Sequence, residues 1–209
     1  MAHDGKKQPQ NMLPTGFMGR VTLRIMNVMH SSIYKSTADV LRPQPDDDVL
    51  DVACGNGHFL KKHASNAHSV AGLDLSELCI ESAKKKHRKG IEAGTAEFVR
   101  GDASQLPWED NRFSAVTSMG SFVGFPHPLQ SLKEMHRVLR PGGRVVVSIE
   151  WNAEDGKDHT NEIEKYGMHI WTEEEVREMM AEAGLSQVAI EYRKAMAMPR
   201  MMFATGAKP

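Results

Sequence analysis

One short segment constrains the fold of this chain more than any other: an apolar run at residues 49–53 that leads directly into a loop with two glycines. Such a short run is typical of a strand that is buried on both faces, as in a parallel sheet. Gly55 and Gly57 let the loop backbone come close to a ligand without a Cβ atom in the way. Because ligands of open α/β sheets bind at the carboxyl ends of the strands, the segment predicts both a fold class and the place of a binding site.

Strand-like and helix-like segments alternate through the rest of the chain. Further strands are predicted at residues 69–73, 96–100, 113–118 and 144–150. Helices are predicted at residues 18–29, 33–41, 59–67, 76–89 and 129–139. Gly90 is expected to stop the fourth of these helices, and the sequence Arg-Pro-Gly-Gly at 140–143 is expected to stop the fifth.

The last third of the chain changes this order. Thr172 and Glu175 form a capping box that opens a helix to about residue 183. Two strands follow at 188–192 and 201–205, joined by a loop that contains Pro199, and they leave no room for a crossover helix. We therefore expect antiparallel neighbours. The predicted fold is a doubly wound, mostly parallel, seven-stranded Rossmann-like α/β sheet with an antiparallel C-terminal hairpin at its edge.

The chain length of 209 residues suits a single domain with a substantial core. Residues 1–16 are polar and without apolar periodicity, so we expect a disordered leader. The domain proper then covers residues 17–209, with a helical cap at 17–42 and a Rossmann-like core at 46–209.

Composition excludes several classes of function. The net charge of −1 lacks the basic excess of a nucleic-acid binder. No apolar run approaches the roughly 18 residues of a membrane span and no signal peptide is recognised, so we expect a cytoplasmic protein. The ten histidines and the cysteines Cys54 and Cys79 show no paired ligand spacing, and no metal site is expected. The run at 84–89 is interpreted as a solvated helix end, and the oligomeric state is left open.

The loop itself favours one kind of ligand. A dinucleotide loop would place a third glycine at position 60, where this chain has Leu60. Asp51 is an acid that sits badly against a pyrophosphate but suits a cationic ammonium group. The sequence therefore favours an amino-acid-like ligand over NAD, and an NAD-dependent oxidoreductase stays the rival enzyme class.

Four segments together resemble the class I S-adenosylmethionine-dependent methyltransferases, and within them the type 11 group that includes the ubiquinone/menaquinone-biosynthesis enzymes. These segments are residues 51–57, 72–76, 101–108 and 139–143. The likeness extends over about residues 35–209, and Ala53 replaces the usual first glycine of the first motif. The resemblance implies S-adenosyl-L-methionine as cofactor and S-adenosyl-L-homocysteine as product.

The resemblance also implies a set of cofactor-binding residues. They are Asp51, Ala53, Gly55, Asn56, Gly57, Asp74, Leu75, Asp102, Ala103 and Met119. Asp74, at the end of the second strand, would accept hydrogen bonds from the ribose hydroxyls, and Asp102 would accept from the adenine amino group. Met119 and Gly120 would border the methionine end. The alternative for each acid is that it merely caps the next helix.

Candidates for the acceptor pocket are His30, Tyr34, Phe122, His127 and Trp151. Phe125 and Glu150 follow the same strands and are weaker candidates, and His169 is expected to be a loop residue. The expected reaction is methyl transfer to a small-molecule acceptor by in-line displacement. The catalytic residue is unknown because an activated methyl group needs no general base unless the acceptor starts protonated. A cofactor-binding module without catalysis is the third alternative.

Overall fold

The computed structural model describes residue 25, residues 27–195 and residues 198–209. The predicted leader at 1–16 and most of the helix predicted at 18–29 lie outside these residues. Within them, no helix combines the length and apolar character that crossing a bilayer requires.

Seven strands form one sheet in the order β3-β2-β1-β4-β5-β7-β6. They are β1 (Asp48–Val52), β2 (Ser69–Asp74), β3 (Ala96–Arg100), β4 (Phe113–Met119), β5 (Leu139–Ile149), β6 (Ser186–Ala195) and β7 (Met198–Ala207). The first five strands in the sheet are parallel, and β7 runs antiparallel to both β5 and β6. The predicted fold class is confirmed, with the second strand of the C-terminal hairpin inserted next to β5.

Helices cover both faces of the sheet, as a doubly wound fold requires. They are α1 (Ser31–Leu41), α2 (His58–His63), α3 (Glu77–Lys86), α4 (Arg88–Glu92), α5 (Pro128–Val138), α6 (Thr160–Tyr166) and α7 (Glu173–Glu182), with a 3₁₀ turn at Phe122–Gly124. The first face buries Ile33 of α1, Phe59 of α2 and Ile80 of α3. The second buries Leu132 of α5 and Val176 of α7.

Gly90 does not stop a helix, contrary to the prediction. It lies inside α4, and the chain turns only at Gly94, where φ is +73°. A Cβ atom at Gly90 would lie 2.9 Å from the Cβ of Ala96 on β3. The glycine at position 90 therefore serves close packing of α4 on the sheet.

Two prolines expected in connections lie in strands instead. Residues 140–143 belong to β5, where a register shift against β4 between Phe113 and Ala115 accommodates them. Pro199 belongs to β7 and not to the hairpin loop. In both cases strand pairing on either side of the proline, with β4 at residues 139 and 144 and with β6 at residues 198 and 201, continues the strand past a residue whose local preference is for a turn.

Other helix signals are partly right. The capping box of α7 is confirmed, since the Glu175 backbone N–H donates to the Thr172 hydroxyl and the Thr172 N–H donates to the Glu175 carboxylate. The helix predicted at 59–67 ends at His63, and α6 was not predicted at all.

The end of α1 is fixed to the amino ends of the strands by Arg144. Its guanidinium donates to the Leu41 carbonyl at 2.6 Å and pairs with the Asp47 carboxylate. Burial alone would raise the pKa of Asp47, but hydrogen bonds from Arg144, the Ser114 hydroxyl and the Gln44 backbone lower it to about 2. This network holds α1 over β4 and β5.

Candidate cofactor-binding site

The carboxyl ends of the five parallel strands form one edge of the sheet, which we call the carboxyl edge. The winding direction reverses between β1 and β4, which are neighbours in the sheet. This is the place where open α/β sheets bind ligands. The structure brings Asp51, Asp74 and Met119 to this edge, at or next to the ends of β1, β2 and β4.

The glycine loop after β1 has a left-handed backbone at three positions. The φ angles are +63° at Ala53, +54° at Gly55 and +67° at Gly57. A Cβ atom at Gly57 would lie 3.1 Å from both the His87 Nε2 and the Phe98 ring, whereas one at Gly55 would meet nothing within 4 Å. Gly57 is therefore needed for packing, and Gly55 leaves open space above the loop.

Asp51 lies under this loop and is completely buried. Neither carboxylate oxygen has a hydrogen-bond partner among the residues that the structure describes. Burial raises the pKa of Asp51 well above its usual range, and the nearby charge of Asp74 raises it further. A buried carboxylate without a partner is costly, so this one is poised to receive a cation.

Asp74 is held firmly against the loop. Its oxygens accept hydrogen bonds from the Gly55 N–H at 2.8 Å and from the Ser76 N–H at 2.9 Å. Burial raises its pKa in spite of these bonds. Leu75 beside it leaves about half of its side chain exposed, a surface on which a flat ring can lie.

Asp102 is more exposed than the other two acids. Its Oδ1 accepts from the Ser104 N–H and hydroxyl at 2.8 and 2.7 Å, so this oxygen does cap the local turn. Ala103 beside it is buried. One oxygen of Asp102 therefore has the capping role that was the alternative for this acid. Its hydrogen bond to the adenine amino group stays a prediction.

The acceptor candidates lie on both faces of the sheet. His30 and Tyr34 lie at and in α1, and the His30 Nε2 is 3.8 Å from the Glu150 Oε1. Phe122 is buried in the core on the opposite face of the sheet, in contact with Phe125 and Trp171.

The remaining candidates lie nearer the surface. Trp151 is half-buried and packs against the cores of both faces. His127 is exposed at the N-cap of α5. His169 is exposed and pairs with Glu175 at 3.1 Å.

Comparison with known proteins relates the chain to a family. Residues 50–147 match the family described as a methyltransferase domain. A demethylmenaquinone methyltransferase of Oceanobacillus iheyensis is 35% identical over 120 residues, which are 56% of this chain and 50% of the relative. The ubiquinone/menaquinone biosynthesis C-methyltransferase UbiE of Ruegeria sp. is 37% identical over 128 residues, or 59% and 50% of the two chains.

Over residues 50–147 the chain is thus similar to the class I S-adenosylmethionine-dependent methyltransferases. The chain spans about half the length of the curated relatives that it matches. The fold agrees with the solved geranyl diphosphate C-methyltransferase of Streptomyces coelicolor, with a TM-score of 0.73 at 16% identity over 94% of this chain and 86% of that one. That structure contains S-adenosyl-L-homocysteine, Mg²⁺ and geranyl diphosphate.

The residues of this methyltransferase domain fit the cofactor. S-adenosylmethionine has an amino-acid end with an ammonium group, and the orphaned Asp51 carboxylate is a matching partner at the edge of the glycine loop. The described residues contain no cluster of three or more side chains suited to a metal ion.

Two residues that support the loop were missed in the sequence. The Lys86 Nζ donates to the Asn56 side chain at 2.8 Å, and the His87 ring bonds the Gly57 carbonyl at 2.9 Å. Both belong to the run interpreted as a solvated helix end, and that interpretation is wrong for them: His87 is buried and burial lowers the pKa of Lys86 to about 8. The sequence did contain a signal for this packing, because residues 79, 80, 83 and 87 lie on one face of a helix.

Proposed function

We propose that this chain transfers a methyl group from S-adenosyl-L-methionine to a small-molecule acceptor. The observation that carries the proposal is the buried Asp51 carboxylate beside the glycine loop, whose two oxygens have no partner among the described residues. An ammonium group would supply the missing charge and hydrogen bonds. Leu60 supports the same choice over NAD, because it is fully buried in the core where a dinucleotide loop would have glycine.

Each cofactor candidate is given a role on this proposal. Asp51 binds the ammonium group, and the backbone of Ala53, Gly55, Asn56 and Gly57 surrounds the amino-acid end. Asp74 and Leu75 bind the ribose and the adjoining face of adenine, and Asp102 and Ala103 bind the adenine edge. Met119 and Gly120 border the methionine end.

The cofactor supplies a methyl group that is already activated on a sulfonium sulfur. The protein therefore has to align the acceptor and exclude water, and such positioning can lower a barrier by about 7–11 kcal/mol. The half-buried Tyr34 and Trp151 and the α1 segment next to them supply apolar surface for this purpose.

For the acceptor we propose an electron-rich aromatic ring of the hydroquinone type. The similarity to demethylmenaquinone methyltransferases supports this class. A sulfonium methyl is an electrophile, so the reduced ring, and not the electron-poor quinone, is the form that reacts. His30, Tyr34 and Trp151 are the side chains expected at the acceptor, with His127 and Phe122 as further candidates.

Calorimetric titration with S-adenosyl-L-homocysteine and, separately, with NADH tests the cofactor. We expect micromolar binding of the first and none of the second. Asp74→Ala should weaken binding of S-adenosyl-L-homocysteine by about tenfold or more, since it removes a charged acceptor. Asp39→Ala, on the exposed side of α1, is the control. Binding of NADH instead would move the protein to the oxidoreductases.

Turnover tests the acceptor. Labelled methyl from S-adenosyl-L-methionine should appear in 1,4-naphthohydroquinone kept reduced by dithionite, and not in the oxidised naphthoquinone. Turnover with a phenol, amine or thiol but not with the hydroquinone would keep the methyltransferase and replace the acceptor. Binding of the cofactor without any turnover would favour the module without catalysis.

A further inference from the structure

We propose that Glu150 supplies a second buried negative charge at the cofactor site, which makes the site prefer the sulfonium cofactor over its neutral product. The inference rests on the proposed use of S-adenosylmethionine. It adds a specificity residue whose effect is separate from that of Asp51.

The first argument is position. β4 and β5 are paired side by side, with Met119 opposite Ser148, and the Gly120 N–H donates to the Ser148 carbonyl at 3.0 Å. Glu150 follows β5 as Gly120 follows β4. A Cβ atom at Gly120 would lie 2.8 Å from the Glu150 Cδ, and φ at Gly120 is +59°. The Glu150 carboxylate thus lies directly on the backbone at the end of β4, where the methionine end of the cofactor is expected.

The second argument is the lack of a counter-charge. The Glu150 Oε1 is buried and accepts no hydrogen bond from the residues that the structure describes, as is true of both Asp51 oxygens. The His30 ring, at 3.8 Å, is beyond hydrogen-bond distance, and burial lowers its pKa, so it is neutral at pH 7. The Asp51 carboxylate and the buried Oε1 of Glu150 are therefore both without a cation from the described residues at the carboxyl edge.

The third argument is charge matching. S-adenosyl-L-methionine has two positive groups, an ammonium and a sulfonium. S-adenosyl-L-homocysteine keeps the ammonium but has a neutral thioether in place of the sulfonium. A carboxylate that pairs with the ammonium stabilises both molecules, whereas one that faces the sulfonium stabilises only the cofactor. With Asp51 assigned to the ammonium, Glu150 remains for the sulfonium.

This arrangement has a functional consequence. After methyl transfer, Glu150 is left without its counter-charge, which weakens product binding and favours exchange for a new cofactor molecule. Product release often limits turnover, so a charge that discriminates at this point affects the whole cycle.

The preference should depend on pH with a defined sign. Burial raises the pKa of Glu150 to about 7, so the carboxylate is charged above that pH and neutral below it. The titratable groups close to it among the described residues are His30, at 3.8 Å, and Tyr34, whose pKa the Glu150 charge helps to raise. Burial lowers the pKa of His30 and raises that of Tyr34, so both side chains are neutral between pH 7 and 8.5. A change of charge at Asp51 or at the ammonium group changes the Kd of both ligands alike, because both ligands carry that ammonium group.

The test measures Kd values for S-adenosyl-L-methionine and S-adenosyl-L-homocysteine by calorimetry between pH 6 and 8.5. The wild-type preference for the cofactor should rise through pH 7 and reach about tenfold or more at pH 8, the usual worth of a charged contact. Glu150→Gln should abolish the preference and its pH dependence, and leave the Kd of S-adenosyl-L-homocysteine within about twofold.

Two control variants separate this role from others. Asp51→Asn should weaken the binding of both ligands by the same factor, because both carry the ammonium group. Glu154→Gln alters a half-buried carboxylate on the same segment, whose Oε1 accepts from the Glu173 N–H, and should leave both Kd values unchanged. Thermal unfolding of each variant checks the fold.

If Glu150→Gln still prefers S-adenosyl-L-methionine over S-adenosyl-L-homocysteine as the wild type does, the inference is wrong. Glu150 would then be a candidate for the acceptor pocket only. Should that variant not fold, a wild-type preference that is flat between pH 6 and 8.5 would overturn it equally. If neither ligand binds the wild-type protein, the proposed function fails at the glycine loop and the inference fails with it.

Discussion

The two ends of β1 have acids of opposite character. At the amino end, Asp47 is buried but accepts hydrogen bonds from Arg144, the Ser114 hydroxyl and the Gln44 backbone, and its pKa falls to about 2. Four positions on, at the carboxyl end, Asp51 is buried with no partner among the described residues, and its pKa is raised. Both are aspartates next to or within the same strand, so neither residue type nor burial alone explains the difference.

What differs is whether the folded chain supplies the partner. The network around Asp47 is complete and ties α1, β4 and β5 together. At the carboxyl edge, by contrast, both Asp51 oxygens and the Glu150 Oε1 have no hydrogen-bond partner among the described residues. The comparison indicates that the amino edge contributes stability and that the carboxyl edge gives up stability for binding.

The largest effect is expected at the amino edge. Asp47→Ala should lower the free energy of unfolding by about 3 kcal/mol, because Arg144 is left without its carboxylate and the hydrogen bonds from three partners are lost. Urea denaturation measures this. Asp46→Ala, at the exposed neighbour, should change stability by less than about 0.5 kcal/mol. Equal effects of the two would show that the network does not stabilise the fold.

The pH dependence of stability should have opposite signs at the two edges. The pKa of Asp47 is depressed, so its contribution is present above pH 4 and is lost as pH falls toward 2. The pKa of Glu150 is raised to about 7, so the folded protein binds the extra proton and loses stability as pH rises from about 4.5 through 7. Between pH 5 and pH 8, Glu150→Gln should remove a decline of about 2–3 kcal/mol, at about 1.4 kcal/mol per pKa unit.

The measurement for this prediction is urea denaturation at pH 5 and pH 8. The variant and the wild type should be similar at pH 5, and the variant should be more stable at pH 8. Glu154→Gln is the control. A wild-type advantage at pH 8 would mean that Glu150 has a stabilising partner in the folded chain.

Asp51→Asn should separate stability from binding. Removing an unpaired buried charge is expected to raise the free energy of unfolding by about 1 kcal/mol. The same substitution should weaken the binding of S-adenosyl-L-homocysteine by about tenfold. Denaturation and calorimetry on the same preparation check both. A loss of stability together with unchanged affinity would show that Asp51, like Asp47, stabilises the fold and does not bind the cofactor.

The smallest effect concerns Ala53. Its φ of +63° is a conformation that favours glycine, so Ala53→Gly should raise stability by about 0.5–1 kcal/mol. Gln187→Gly, at φ +53° on the distant β6, is the matched control and should gain a similar amount. Lower stability of the Ala53 variant alone would indicate that its methyl group is needed for packing in the loop.

Much of the site was predictable because its signals are local. Asp51 lies near the end of an apolar run, Asp74 and Asp102 each follow one, and the fold then brings the ends of parallel strands to one edge. The supporting residues were harder to find. Lys86 and His87 looked like part of a charged helix end, and only packing against the loop shows that they hold Asn56 and Gly57.

The sequence by itself determined the order of the seven strands along the chain, the glycine loop and the acids at or after the strand ends, because periodicity and turn chemistry act over a few residues. The tertiary structure decided which of those acids have partners. Asp47 meets Arg144 across 97 positions, and Glu150 rests on Gly120 through the pairing of β4 with β5. Such long-range contacts set the burial and the electrostatic partners of a side chain, and these in turn decide whether a carboxylate stabilises the fold or waits for a ligand.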